Sequence, residues 1–312
     1  MVNILIRACY ILGLVLFSFN SMFGQAILRD TNIYIEVENA RLFVRIVGSG
    51  KPIVIVHGGP GMSHDYLAPQ LIELLQYDYQ LIFFDQRASG KSSGVDDTSR
   101  LNMTQLTDDL ERIRQHFKID RLNLLGHSFG GLLAMYYAFS YPDRIEKLLL
   151  IDTSPASWEL NFPHFRKTIA ERQTEVDRNE ITALERRDDF GKNPELMDRY
   201  FKLYFKTFFK DPSLSQKIAL GIDKTWLSKI TEPTNLISKE LGKYDIHEKL
   251  PKITATTLVL HGDYSVISMD GAKAIAKKIS NSKLVVLKDV GHFPYIEAPD
   301  KFSMTIKEFL GK

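Results

Sequence analysis

Short runs of apolar and β-branched residues alternate along the chain with longer stretches of helical periodicity. The runs cover residues 52–57, 81–85, 122–126, 147–151, 257–261 and 284–287, and each is close to continuous in apolar side chains. A strand buried on both faces reads this way, and helices between such strands cover both faces of a parallel sheet. An additional hairpin over residues 33–47 is expected to open the domain. The pattern therefore predicts an α/β fold with a mostly parallel, doubly wound sheet. Between residues 154 and 250 the strand signal disappears and the segment becomes helical and highly charged, with 16 acids and 17 bases. That predicts a helical cap over 154–250, inserted into a core made of 27–153 and 251–312. Within the cap, Tyr200, Phe201, Tyr204, Phe205, Phe208 and Phe209 group on a helix face. Such a stripe packs a cap core or roofs an apolar pocket, and different members can do each.

The N-terminus adds a second element. Arg7 precedes a largely apolar run over residues 8–19, and small residues follow up to Gly24-Gln25-Ala26. This layout is that of a secretory signal peptide over residues 1–26, and the run falls short of the roughly 20 residues a membrane span needs. The expectation is an exported protein, periplasmic or extracellular, with no stable membrane insertion once the leader is removed. The single cysteine, Cys9, lies inside that leader, so the mature chain would carry no thiol and no disulfide. Lys plus Arg number 40 against 38 for Asp plus Glu, a formal charge of +2, which provides no field for nucleic acid or anionic lipid. A small-molecule or short-peptide substrate fits that balance. Oligomeric state is not encoded in any pattern of this kind.

The chemistry concentrates at Gly126-His127-Ser128-Phe129-Gly130-Gly131, between a predicted strand and a predicted helix. G-x-S-x-G in that setting is a nucleophile elbow: the sharp turn exposes the serine hydroxyl, and flanking glycines let strand and helix approach closely. Ser128 is the expected nucleophile. A hydroxyl needs a base to take its proton, and His292, in Gly291-His292-Phe293-Pro294 after the last predicted strand, stands where such a base belongs in chain order. His57, His64, His127 and His261 have local structural explanations. His57-Gly58-Gly59-Pro60-Gly61 follows the first buried strand, and its glycines leave backbone N–H groups free to face a developing oxyanion. The Gly59 and Phe129 N–H groups are expected to form that hole.

HGGPGMSHDYL at residues 57–67, DQRASGKS at 85–92 and GHSFGG at 126–131 together resemble the proline iminopeptidases and the related tricorn-interacting aminopeptidases of the α/β-hydrolase superfamily. The resemblance covers residues 41–152 and 258 onward and fades in the cap. It implies an α/β-hydrolase fold and release of an N-terminal residue, often proline, from short peptides through an acyl-enzyme, with no metal or cofactor. Two features depart from the family: its elbow is usually GGSWG, and the cap here has no Trp-x-x-Trp-Glu segment to bind the substrate amine. Glu232 and Glu240 are the expected substitutes, because a carboxylate holds an ammonium group by charge-assisted hydrogen bonds.

The family's acid follows the penultimate strand in a Gly-x-x-Asp pattern, and Gly262-Asp263-Tyr264-Ser265 puts serine at that position. Asp263 is the expected acid, since strand alternation puts residues 263 and 265 on one side; Asp152, at the end of the preceding strand, is the alternative. Other chemistries find no support. Gly48-Ser49-Gly50-Lys51 and Gly90-Lys91-Ser92 lack the context of a phosphate loop, and no His-Glu-x-x-His or paired-cysteine spacing offers zinc ligands. A dehalogenase or epoxide hydrolase would carry a carboxylate where Ser128 stands. Three activities remain: an exported serine aminopeptidase, a carboxylesterase or lactonase using the same nucleophile, and a ligand-binding protein on a hydrolase fold.

Overall fold

In the computed structural model, which describes residues 29–95 and 97–312, all six apolar runs form strands. They are β3 (Lys51–Val56), β4 (Tyr79–Phe84), β5 (Leu122–His127), β6 (Ile145–Ile151), β7 (Thr256–Gly262) and β8 (Ser282–Leu287). The segment before them folds as the expected hairpin of β1 (Asp30–Val37) and β2 (Ala40–Gly48), closed by a two-residue turn with Asn39 at φ 57°. The expected leader over 1–26 lies outside the described residues.

The eight strands form one sheet in the order β1-β2-β4-β3-β5-β6-β7-β8. β1 and β2, and β2 and β4, pair antiparallel; every pair from β4 through β8 is parallel. Residues Ile53 to Val56 and all of β5 are buried, as continuous apolar runs require. Helices α1 (Ala68–Leu75), α2 (Met103–His116) and α3 (Phe129–Ser140) connect the central strands. Because the chain leaves β3 first toward β4 and then crosses to β5, the strand order reverses at β3. A crevice opens beyond the carboxyl ends of the strands at such a reversal, and that is where ligands bind in sheets of this type.

Between β6 and β7 the described residues contain α4 (Trp158–Arg172), α5 (Glu175–Glu185), α6 (Pro194–Phe205), α7 (Lys224–Leu227) and α8 (Thr231–Leu241), but no strand. Four of these helices start at side-chain caps, Ser157, Thr174, Asn193 and Asp223, each worth about 1 kcal/mol. Ile181, Leu184, Leu196, Met197, Leu203, Trp226 and Leu227 give this cap its own apolar core. Polar ties dock it: Lys229 donates to the Gly90 and Ser92 carbonyls at 2.7 and 2.5 Å, and Arg172 donates to the Tyr264 carbonyl at 2.8 Å. The sheet domain closes with α9 (Met269–Lys278), α10 (Pro294–Glu297) and α11 (Pro299–Leu310).

Candidate active site

Ser128 sits in the turn between β5 and α3 at φ 57°, ψ −125°. A non-glycine residue held there costs about 1–3 kcal/mol and persists only where its surroundings fix it. They do so here: the Ser128 N–H donates to the Ile151 carbonyl at 3.1 Å, and its carbonyl accepts from Gly131 and Ser154 at 3.0 Å each. The motif's glycines are steric requirements. A Cβ at Gly126 would strike the Gly130 carbonyl, and one at Gly130 would strike the carbonyls of Val56 and His57. Ser128 remains partly exposed at the floor of a cavity of about 540 Å³, and His292 lines the same cavity.

Four elements build the surroundings of His292. Its N–H donates to the Phe208 carbonyl of the cap at 2.8 Å, and the preceding Gly291 N–H donates to the Glu297 carboxylate. Its Nδ1 lies 3.5 Å from the Ser265 hydroxyl and 3.9 Å from Asp152 Oδ1. Asp152, at φ 40° beyond β6, is fully buried; its Oδ2 accepts the Gly262 N–H at 3.1 Å, and its Oδ1 lies 3.2 Å from His261 Nδ1. Burial alone would push the Asp152 carboxyl up. The nearby charges of His261 and His292, with the Ser265 hydroxyl, outweigh burial and hold it below the ordinary carboxylate value.

The expectation for Asp263 is not met by the geometry. Its carboxylate is exposed and accepts the Asp289 N–H at 2.7 Å, on the turn after β8. β7 ends at Gly262, and the Ser265 N–H closes a turn onto the Gly262 carbonyl at 3.1 Å. Strand alternation therefore stops before residue 263, so residues 263 and 265 diverge. Asp152 is the carboxylate beside His292.

The expected amine-binding acids are also elsewhere. Glu240 accepts the Met103 N–H at 3.0 Å and so docks α8 onto the start of α2, and Glu232 is exposed outside the cavity lining. The remaining motif histidines are structural. His57 donates from Nδ1 to the Gly58 carbonyl at 2.7 Å and accepts the Gln86 N–H at 3.0 Å. His64 bonds Asp85 at 2.8 Å. The DQR segment is likewise structural: Arg87 grips Asp109 of α2 through two hydrogen bonds of 2.7 and 2.6 Å.

Gly59, at φ 124°, lines the cavity, and its N–H makes no hydrogen bond among the described residues. Phe129 opens α3, so its N–H has no intrahelical acceptor. Both expected oxyanion donors are thus unspent. The cavity wall opposite comes largely from the aromatic stripe: Tyr200, Phe201, Tyr204, Phe205 and Phe208, joined by Phe165. Phe209 is buried outside it, against Phe293 at 4.9 Å between rings. Tyr66, buried beside the site, and the half-buried Glu297, whose carboxylate accepts the Gly291 and Lys210 N–H groups, are participants that motif reading passes over, and His261, read there as structural, lies 3.2 Å from the Asp152 carboxylate.

The model of the α/β-hydrolase fold family matches residues 51–299. The proline iminopeptidase of Saccharolobus solfataricus is 30% identical over 302 residues, covering 94% of each chain. Among solved structures, a proline iminopeptidase-related protein of Thermus thermophilus superposes with a TM-score of 0.68 at 24% identity, over 90% of this chain and 97% of its own. An esterase of Exiguobacterium antarcticum superposes equally, at 0.68, with 22% identity over 90% and 100%.

Proposed function

Starting from the fact that this chain belongs to the α/β-hydrolase fold family, we propose that it is a serine hydrolase that cleaves neutral, apolar acyl esters through an acyl-enzyme. Ser128 Oγ attacks the substrate carbonyl while His292 takes its proton, and the oxyanion is received by the Gly59 and Phe129 N–H groups. His292 returns the proton to the departing alkoxide, and water repeats the cycle to release the acid. Asp152 stabilises the imidazolium that forms in each half. No step needs a metal or cofactor.

One observation carries the choice of substrate. The cavity is lined by aromatic side chains, Met62, Met197 and Ile230, with Thr231, Thr234 and Asn235 at one end, and by no Asp, Glu, Lys or Arg among the described residues. Removing an ammonium group from water without a counter-charge costs several kcal/mol. A cation over an aromatic face returns about 2 kcal/mol. A neutral acyl group avoids that deficit. The second reading, an aminopeptidase that releases N-terminal residues such as proline from short peptides, is favoured by the relative that is 30% identical over nearly the whole chain. Under that reading the aromatic set around Tyr200 and Tyr204 would hold the amine.

Parallel rates on neutral aryl esters, on aminoacyl arylamides with a free amine, and on their N-acetylated forms separate the two. Esters and blocked amides cleaved at least as well as free-amine substrates support the proposal, whereas a strict requirement for the free amine overturns it. We further assign the enzyme to the periplasm or the exterior, on the leader pattern over residues 1–26; a secreted product starting after Ala26 is the expected result of N-terminal sequencing, and retention in the cytoplasm with an intact leader contradicts it.

A further inference from the structure

Tyr66 and His127 line the cavity that holds Ser128, both almost wholly buried, and neither exchanges a proton in the reaction above. The Gly58 N–H donates to Tyr66 Oη at 2.6 Å. Tyr66 Oη lies 2.8 Å from His127 Nδ1, and His127 Nε2 lies 2.9 Å from the His292 carbonyl. A carbonyl can only accept, so Nε2 carries the His127 proton. Nδ1 is then the acceptor, and the Tyr66 hydroxyl must be its donor. Every hydrogen bond in this chain thus has one direction, running from the oxyanion loop through the ring before the nucleophile to the backbone of the base.

The environment keeps His127 in that state. Burial, together with the neighbouring His292, pushes its pKa down to about 3, so the ring stays neutral while His292 becomes charged 4.6 Å away. Phe293 stacks on the His127 ring at 5.6 Å and Tyr295 meets it edge-on at 5.5 Å, which holds its plane. Gly58 completes the packing: a Cβ there would lie 2.8 Å from Tyr66 Oη and 3.0 Å from Ser128 Cβ. By occupying the Gly58 N–H, Tyr66 fixes the His57–Gly58 peptide, and His57 holds the next one through the Gly58 carbonyl, leaving the Gly59 N–H for the oxyanion.

We propose that Tyr66 and His127 are positioning residues which act as one unit, holding the oxyanion loop and the His292 loop in register on either side of Ser128. This rests on Ser128 and His292 being the nucleophile and base. Misplacement of reacting groups by about 1 Å can cost on the order of 100-fold in rate, and loss of an oxyanion donor costs about as much. Tyr66→Phe and His127→Phe keep the aromatic packing and remove the polar chain. Each is expected to lower kcat on a neutral aryl ester by about 10–100-fold with KM within about 2-fold, and to weaken a boronic-acid transition-state analogue by the same factor as kcat/KM. The double variant should be little worse than either single one, because members of one network are not additive. Unchanged kcat, a loss confined to KM, or losses that multiply in the double variant would overturn the proposal. Ser128→Ala measured alongside keeps the two levels apart. If it removes turnover while Tyr66→Phe does not, the positioning role fails alone; if it leaves turnover intact, the nucleophile assignment fails first.

Discussion

The ends of β6 and β7 offer the same raw material and use it in opposite ways. Each strand delivers a carboxylate beyond its carboxyl end, Asp152 after Ile151 and Asp263 after Gly262. Asp152 is fully buried between two imidazoles, while Asp263 is exposed and stabilises a neighbouring turn. What separates them is backbone geometry. At φ 40° Asp152 turns inward and is met by the Gly262 N–H, whereas β7 enters a turn that carries Asp263 outward and Ser265 inward. A carboxylate's role here follows from where its strand stops and how the backbone leaves it.

The contrast breaks most visibly at Asp152. Asp152→Asn should lower kcat by about 10³–10⁴-fold, because an amide favours the wrong imidazole tautomer and leaves the imidazolium unstabilised; steady-state kinetics check this. Moving the acid should recover part of the loss: in Asp152→Asn/Ser265→Asp the carboxylate returns on β7's side of His292 Nδ1, and kcat should rise about 10–100-fold above the single variant. No recovery would mean that the 3.5 Å approach of Ser265 to the ring is not one a carboxylate can use.

Stability should follow the same division. The folded pKa of Asp152 lies below its ordinary value of about 3.9. Its ionisation therefore contributes stability above pH ~4, and that contribution is lost as pH falls through the folded value. Denaturant melts at pH 5 and pH 3 should show a larger acid loss in wild type than in Asp152→Asn; equal losses would contradict the shift. The smallest effect belongs to Asp263→Asn. Asparagine keeps an oxygen to accept the Asp289 N–H, so turnover should stay within about 2-fold and stability within about 0.5 kcal/mol.

Elements whose chemistry is local were legible in the sequence. The continuous apolar runs gave the strands and their parallel pairing, and G-x-S-x-G between strand and helix gave Ser128, since the motif and the turn are one object. That His292 comes to line the same cavity as Ser128 was legible from chain order. The partner of His292 was not, because it depends on how β7 terminates, and alternation says nothing past the last paired residue. Glu240 failed as a ligand for a similar reason: a charged helix face does not reveal that one acid meets the first N–H of α2. The Tyr66–His127 chain joins residues 61 positions apart with a carbonyl 165 positions further on, and no local pattern encodes it.

The central claim is that Ser128 becomes acylated by a neutral substrate. Rapid acid quench of the enzyme with a slowly deacylating aryl ester, followed by intact-mass and peptide mapping, tests it directly. The predicted result is one acyl adduct on the peptide containing Ser128, formed within the burst phase and missing in Ser128→Ala. Burst-phase turnover with no adduct, or an adduct that maps to another residue and survives in Ser128→Ala, would contradict it.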